Sequence, residues 1–191
     1  MSQNLTTTIS YKSKVVDINR DKATVIIGER INPTGRKKVL SALEAGDFDL
    51  VKQDAVDQVN AGAAVLDVNA GVPDADEVTL LQKVMKTVME VVDVPLCIDT
   101  NNPQALASAL SMYEGKALVN SVNGESKSLD AILPLVKEHQ SAVIGLCMDD
   151  DGIPPTPEAR LKVAGKIIGL PNHPGLTKKE LNRIIKVLTF F

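Results

Sequence analysis

Polar side chains that can hold a heterocycle recur at matching places along this chain, each closing a short aliphatic run. Glu29 follows Val25–Gly28. Asp67 and Asn69 sit in and after Val65–Val68. Asp99 follows Leu96–Ile98, Asn120 follows Ala117–Val119, and Asp149 follows Val143–Leu146. Carboxylates accept hydrogen bonds on two oxygens, whereas amides both donate and accept. A row of such groups suits a flat polar ligand with adjacent N–H and C=O groups. In an extended strand, residues i and i+2 share a face, so Asp67 and Asn69 point the same way.

The segments between the runs have helical period. Leu81, Val84, Met85, Val88 and Val92 fall on one helical stripe, as do Leu106, Ala109, Leu110 and Tyr113, and again Leu129, Ile132, Leu133 and Val136. Ser128 reads as one helix start, and Thr156 followed by Pro157 as another. Strand–helix alternation repeated five times implies a parallel sheet with right-handed crossovers. An open doubly wound sheet and part of a (βα)8 barrel both satisfy that pattern. An open sheet gathers its ligand groups at one switch point, whereas a barrel collects them at the C-terminal ends of successive strands. The polar residue at every strand end selects the barrel. No GxGxxG or Walker-type loop follows any strand.

Composition agrees. There is no Trp and only five Tyr and Phe residues, so the core must be aliphatic, as in a parallel sheet covered by helices. The net charge of −3 is spread along the chain and predicts no nucleic-acid face. No run reaches the roughly 18 apolar residues of a membrane span, and residues 1–22 lack a signal-peptide core, so the expectation is a cytoplasmic protein without a membrane partner. Cys97 and Cys147 lie in aliphatic runs with no Cys/His cluster and read as core residues.

Five motifs, in order, resemble the pterin-binding methyltransferases: GERINPTGRK (28–37), LDVNAGVP (66–73), PLCIDT (95–100), LVNS (118–121) and MDDDGIP (148–154). This family includes methyltetrahydrofolate:corrinoid methyltransferases and the folate module of methionine synthase. The resemblance covers residues 24–165 and implies a dihydropteroate synthase-like barrel. Dihydropteroate synthase itself is the alternative, but its Gly-Gly-rich loop after the second strand is missing here.

The resemblance implies methyl transfer between methyltetrahydrofolate, as substrate, and a corrinoid (cobalamin) carried by a partner protein, with no metal at the pterin. It gives Asp99 the carboxylate role and Asn120 the amide role at the pterin edge. Asp67 and Asn69 would support the ring or its waters, Glu29 would lie on the barrel floor, and Asn32 completes the substrate-binding set. Structural roles compete with these. Asp67 or Asn69 suits the cap of the following helix, and Glu29 suits an ion pair with Arg30 or Arg36. Asp149–Asp151 reads as a solvated turn rather than a metal cluster. His139, at a helix end, and His173, in a Pro-rich loop, read as structural.

The domain reading is an extension over 1–22, a partial barrel over 23–168 and a divergent tail over 169–191. A complete barrel takes about 250 residues, and the family's later Asp and Asn motifs are not found. From Leu161 on the chain carries Lys162, Lys166, Lys178, Lys179, Arg183 and Lys186 against Glu180. Within the tail, Thr177–Glu180 reads as a capping box, and Leu181, Ile184, Ile185 and Leu188 as one amphipathic helix. The expected explanations are truncation (preferred), an enzyme split between chains, or a non-catalytic half-barrel that binds folate or a partner chain. Catalytic residues are therefore left unassigned. Exposed sheet edges predict association, with a second copy or a complementing chain.

Overall fold

The computed structural model describes residues 6–169 and the backbone course of 185–189. The five aliphatic runs contribute to strands, and the periodic stretches that begin at Leu81, Leu106 and Leu129 lie in helices. In chain order they are β1 (Thr7–Tyr11), β2 (Lys14–Ile18), β3 (Ile27–Ile31), α1 (Lys37–Glu44), α2 (Asp49–Asn60), β4 (Val65–Asn69), α3 (Glu77–Val91), β5 (Leu96–Asp99), α4 (Pro103–Met112), β6 (Gly115–Lys116), β7 (Leu118–Asn123), α5 (Ser126–Glu138), β8 (Ala142–Leu146), α6 (Pro157–Gly169) and β9 (Ile185–Thr189).

Six strands form one parallel sheet in the order β3-β4-β5-β7-β8-β9. The two faces of that sheet differ, and the difference fixes the architecture. Leu66, Val68, Ile98, Val119 and Val143 turn outward and join the buried residues of all six helices in one aliphatic core. The opposite face carries Val65, Cys97, Leu118 and Ala142, packed with Ile9 and Val16 of the N-terminal hairpin. Helices on one face only are the mark of a barrel wall, whereas a doubly wound sheet is covered on both. The chain is thus an α/β partial barrel.

Residues 7–18, set apart above as an extension, are built into this core. β1 and β2 pair antiparallel, and β1 also pairs with β6. Alternate residues face inward, so Thr7, Ile9 and Tyr11 are buried in β1. The hairpin thereby floors the barrel at the N-terminal ends of its strands. Tyr113 fastens it: its hydroxyl accepts from Leu96 N–H and donates to the Ser10 carbonyl, each at 3.0 Å, while its ring stacks on Tyr11 at 5.4 Å.

Helix starts follow from their caps. Asn102 accepts from Gln104 and Ala105 N–H with Pro103 in the first turn of α4, and Asp76 caps α3. Thr156 accepts from Ala159 N–H at the start of α6, as its position predicts. Ser128 does not start its helix. α5 begins two residues earlier, and the Ser128 hydroxyl accepts from Asn123 N–H, tying the helix to the end of β7.

The tail departs from its reading. Ile185–Thr189 is a sixth parallel strand beside β8, not the end of an amphipathic helix. Apolar residues in IKVLT match helical spacing, but the segment is also rich in strand formers, and β8 offers a free ladder of N–H and C=O groups that only a strand can satisfy. Residues 170–184, with His173 and the Thr177–Glu180 box, lie outside the described residues. Among the described residues no helix is long and apolar enough to cross a membrane.

Candidate functional site

Parallel pairing lines up the strand ends. Asn69 of β4 stands in register with Asp99 of β5, and Asp99 with Asn120 of β7. One layer deeper, Asp67 is in register with Cys97. Because Val65, Asp67 and Asn69 alternate with the outward Leu66 and Val68, the polar residues share the inner face, above the apolar floor. The sequence-predicted residues Asp67, Asn69, Asp99 and Asn120 therefore converge on one mouth.

Two amide–carboxylate bonds cross the strands. Asn69 Nδ2 donates to Asp99 Oδ2 at 3.0 Å, and Asn120 Nδ2 donates to Asp67 Oδ1 at 3.2 Å. Asn69 Oδ1 accepts from Gly71 N–H, which orients the amide so that its NH2 faces Asp99. Neither Asp67 nor Asn69 caps a helix; α3 takes Asp76 instead, and the capping alternative falls.

Asp67 is 3% exposed, and its Oδ2 has no hydrogen-bond donor among the described residues. Burial pushes its carboxyl up to about 6; the neighbouring Cys97 thiol and the Asn120 amide oppose the shift, and the nearby charges of Asp99 and Glu29 add to it. Asp99 is also raised, first by burial and then by Glu29 and Glu77, against the Asn69 amide. Burial, reinforced by the neighbouring Asp67, holds the Cys97 thiol well above its ordinary value. Cys97 and Cys147 are both buried and unpaired with each other, in keeping with core roles.

Glu29 and Asn32 reach the mouth from the end of β3. Asn32 Nδ2 donates to Glu29 Oε1 at 3.3 Å, while Asn32 Oδ1 accepts from Thr34 N–H in a tight turn. The expected ion pair of Glu29 with an arginine does not form. Arg30 and Arg36 both turn to Asp54 of α2. Sequence reading missed Asp54 and its neighbour Gln58, and also Glu77, which accepts from the Thr100 hydroxyl beside Asp99. Asp149 lies apart in a turn, paired with Gly152 and accepting from Asp151 N–H, and His139 ends α5.

Carboxylates and amides thus converge at the C-terminal mouth of a partial barrel, and comparison with known proteins gives the chain a family. The family described as pterin binding enzyme matches residues 28–166. This chain belongs to the pterin-binding enzymes.

The matched segment of this pterin-binding enzyme begins at Gly28, ahead of Glu29, and takes in every site residue above. The chain is 31% identical over 163 residues to a methylcorrinoid:tetrahydrofolate methyltransferase of Eubacterium limosum, covering 83% of this chain and 59% of that protein. It is 26% identical over 194 residues to methionine synthase of Mycobacterium tuberculosis, covering 95% of this chain and 16% of the relative. The chain thus spans 59% of the length of the first relative and 16% of the second, less than two thirds of either. Its fold is that of a Thermus thermophilus dihydropteroate synthase in complex with 6HMPPP, with a TM-score of 0.56 at 19% identity over 95% of this chain and 63% of that one.

Proposed function

We propose that this pterin-binding enzyme holds methyltetrahydrofolate at the barrel mouth and serves methyl transfer between that folate and a corrinoid on a partner protein. The observation that carries the reading is the in-register row Asn69–Asp99–Asn120 above a buried Asp67 whose Oδ2 lacks a donor among the described residues. A pterin edge presents N–H groups beside acceptors. Asp99 accepts that edge as a carboxylate, since charge-assisted bonds to paired N–H groups are the stronger kind. Asn120, its NH2 occupied by Asp67, offers its carbonyl oxygen. Asp67 Oδ2 takes a further N–H, directly or through water, which satisfies a buried polar atom otherwise left bare. Asn69, Glu29 and Asn32 hold these groups in place. The identity with the methylcorrinoid:tetrahydrofolate methyltransferase supports methyl transfer over pterin synthesis.

The name of the Eubacterium limosum relative couples tetrahydrofolate with a methylcorrinoid, and our reading assigns that corrinoid to a partner protein. When bound, the corrinoid would supply the centre that exchanges the methyl group with the folate. The contribution of this chain is to bind, orient and polarise the pterin through these carboxylates and amides.

Calorimetric titration of the chain with methyltetrahydrofolate tests the proposal. Saturable one-to-one binding is expected. A folded chain with no affinity for any reduced folate sinks it, and turnover of a pterin pyrophosphate with p-aminobenzoate would put dihydropteroate synthase chemistry in its place.

A further inference from the structure

β3 departs from the β4 ladder between Gly28 and Ile31, so the peptide groups of Glu29 and Arg30 fall in a bulge. Backbone polar groups withdrawn from a ladder need other partners. Gln58 of helix α2 and Arg36 supply them. Arg30 N–H donates to Gln58 Oε1 at 2.8 Å. The Arg30 carbonyl accepts from Arg36 Nη1, and the same guanidinium is held by Asp54, with Nη2 to Oδ1 at 3.3 Å. Gln58 is 8% exposed, and its own Nε2 donates to the Asp54 carbonyl at 3.0 Å, which fixes the direction of the amide. Asp54 and Gln58 are four residues apart and so share one face of α2. Gly28 completes the fit, because a Cβ there would lie 2.6 Å from Gln58 Oε1.

Both the N–H and the carbonyl of Arg30 are therefore engaged, the N–H directly by Gln58 of α2 and the carbonyl by Arg36, which Asp54 of α2 holds. The residue on either side is thereby aimed. Glu29 stands next to the gripped N–H, close enough for its charge to act on Asp67 and Asp99, and it binds Asn32 two residues beyond the bulge. We infer that Gln58 is a positioning residue for the substrate site: by capturing Arg30 N–H it sets Glu29 and Asn32 at the mouth and tunes affinity for the pterin. This rests on the folate-binding reading above. A merely structural Gln58 would affect stability and leave affinity alone.

Gln58→Met keeps the volume and removes the acceptor, whereas Gln58→Glu keeps an acceptor. The test combines amide hydrogen exchange at Arg30, without ligand, with calorimetric binding of methyltetrahydrofolate. Gln58→Met is expected to speed exchange at Arg30 and weaken binding about tenfold, the size of one lost hydrogen bond. Gln58→Glu should recover most of both. In a Glu29→Ala background, Gln58→Met should weaken binding no further, since the effect passes through Glu29. Gly28→Ala presses on Gln58 from the strand side and should weaken binding likewise, so the inference does not depend on one variant folding. Wild-type binding with an unchanged Kd in folded Gln58→Met or Gly28→Ala overturns this inference and spares the folate reading. A wild-type chain that binds no reduced folate overturns both.

Discussion

Asn120 donates to one oxygen of Asp67 at 3.2 Å and leaves the other buried without a donor among the described residues, so this pair decides how the deepest carboxylate of the site behaves. The amide accepts no proton from Asp67 and only partly offsets the loss of water. The consequences can be measured.

Asp67 makes stability depend on pH. Its folded carboxyl keeps a proton up to about pH 6, whereas the ordinary value is 3.8. Between those values the native state binds more protons than the unfolded one, so stability falls as pH rises through that window. The contribution is fully present below 3.8 and lost above 6, about 3 kcal/mol between the two limits. Asp67→Asn should flatten the fall and raise the melting temperature at pH 7.5 but not at pH 4. Thermal melts across that range check it, and an unchanged profile would show that Asp67 ionises freely.

Ligand binding should move the same proton. A pterin N–H placed on Asp67 Oδ2 favours the carboxylate, so methyltetrahydrofolate should release about half a proton at pH 6 and almost none at pH 8. Calorimetry in two buffers of different ionisation heat reads this directly.

Asp99→Asn keeps an acceptor for Asn69 and loses the charge. Binding of methyltetrahydrofolate should weaken by about 1–3 kcal/mol, because bonds to a charged acceptor are the ones removed. A Kd equal to wild type would take Asp99 out of the binding set.

The hairpin floor should matter to the whole domain. Ile9 is fully buried against Val65, Cys97, Leu118 and Ala142. Ile9→Ala is expected to cost about 2–5 kcal/mol in denaturant unfolding, the range for a large-to-small change in a packed core. A loss near zero would make residues 7–18 the dispensable extension that composition suggests.

Tyr113→Phe removes one oxygen and strands two backbone groups, Leu96 N–H and the Ser10 carbonyl. About 1–3 kcal/mol of stability should go with it, and exchange at Leu96 should quicken more than at Ile98.

What could be read beforehand, and what could not, follows from range. The parallel strands were legible because each aliphatic run is bounded by periodic helices, and Asp67, Asn69, Asp99 and Asn120 because each interrupts or ends such a run. Their pairing was not legible, since a bond such as Asn69–Asp99 depends on register between strands. Gln58 looked like any polar residue on an exposed helix, and only the bulge in β3 gives its amide a task. The hairpin was hidden by its Thr and Ser content, although Ile9 and Tyr11 do alternate with polar neighbours. In the tail, Ile185 and Leu188 fit helix and strand equally well, and the open side of β8 chose between them.

The floor also imposes an order of events. β1 and β2 leave the ribosome ahead of the barrel strands, yet most of their partners, among them Tyr113, Gly115, Leu118 and Ala142, lie about a hundred residues later. A lone two-stranded hairpin is marginal in water. At about 5–20 residues per second, the nascent hairpin waits roughly 5–20 s for something to rest on. The hairpin, made before the strands it floors, is thus among the last parts of the barrel to settle, and its docking marks the moment at which the growing sheet becomes a closed-bottomed vessel.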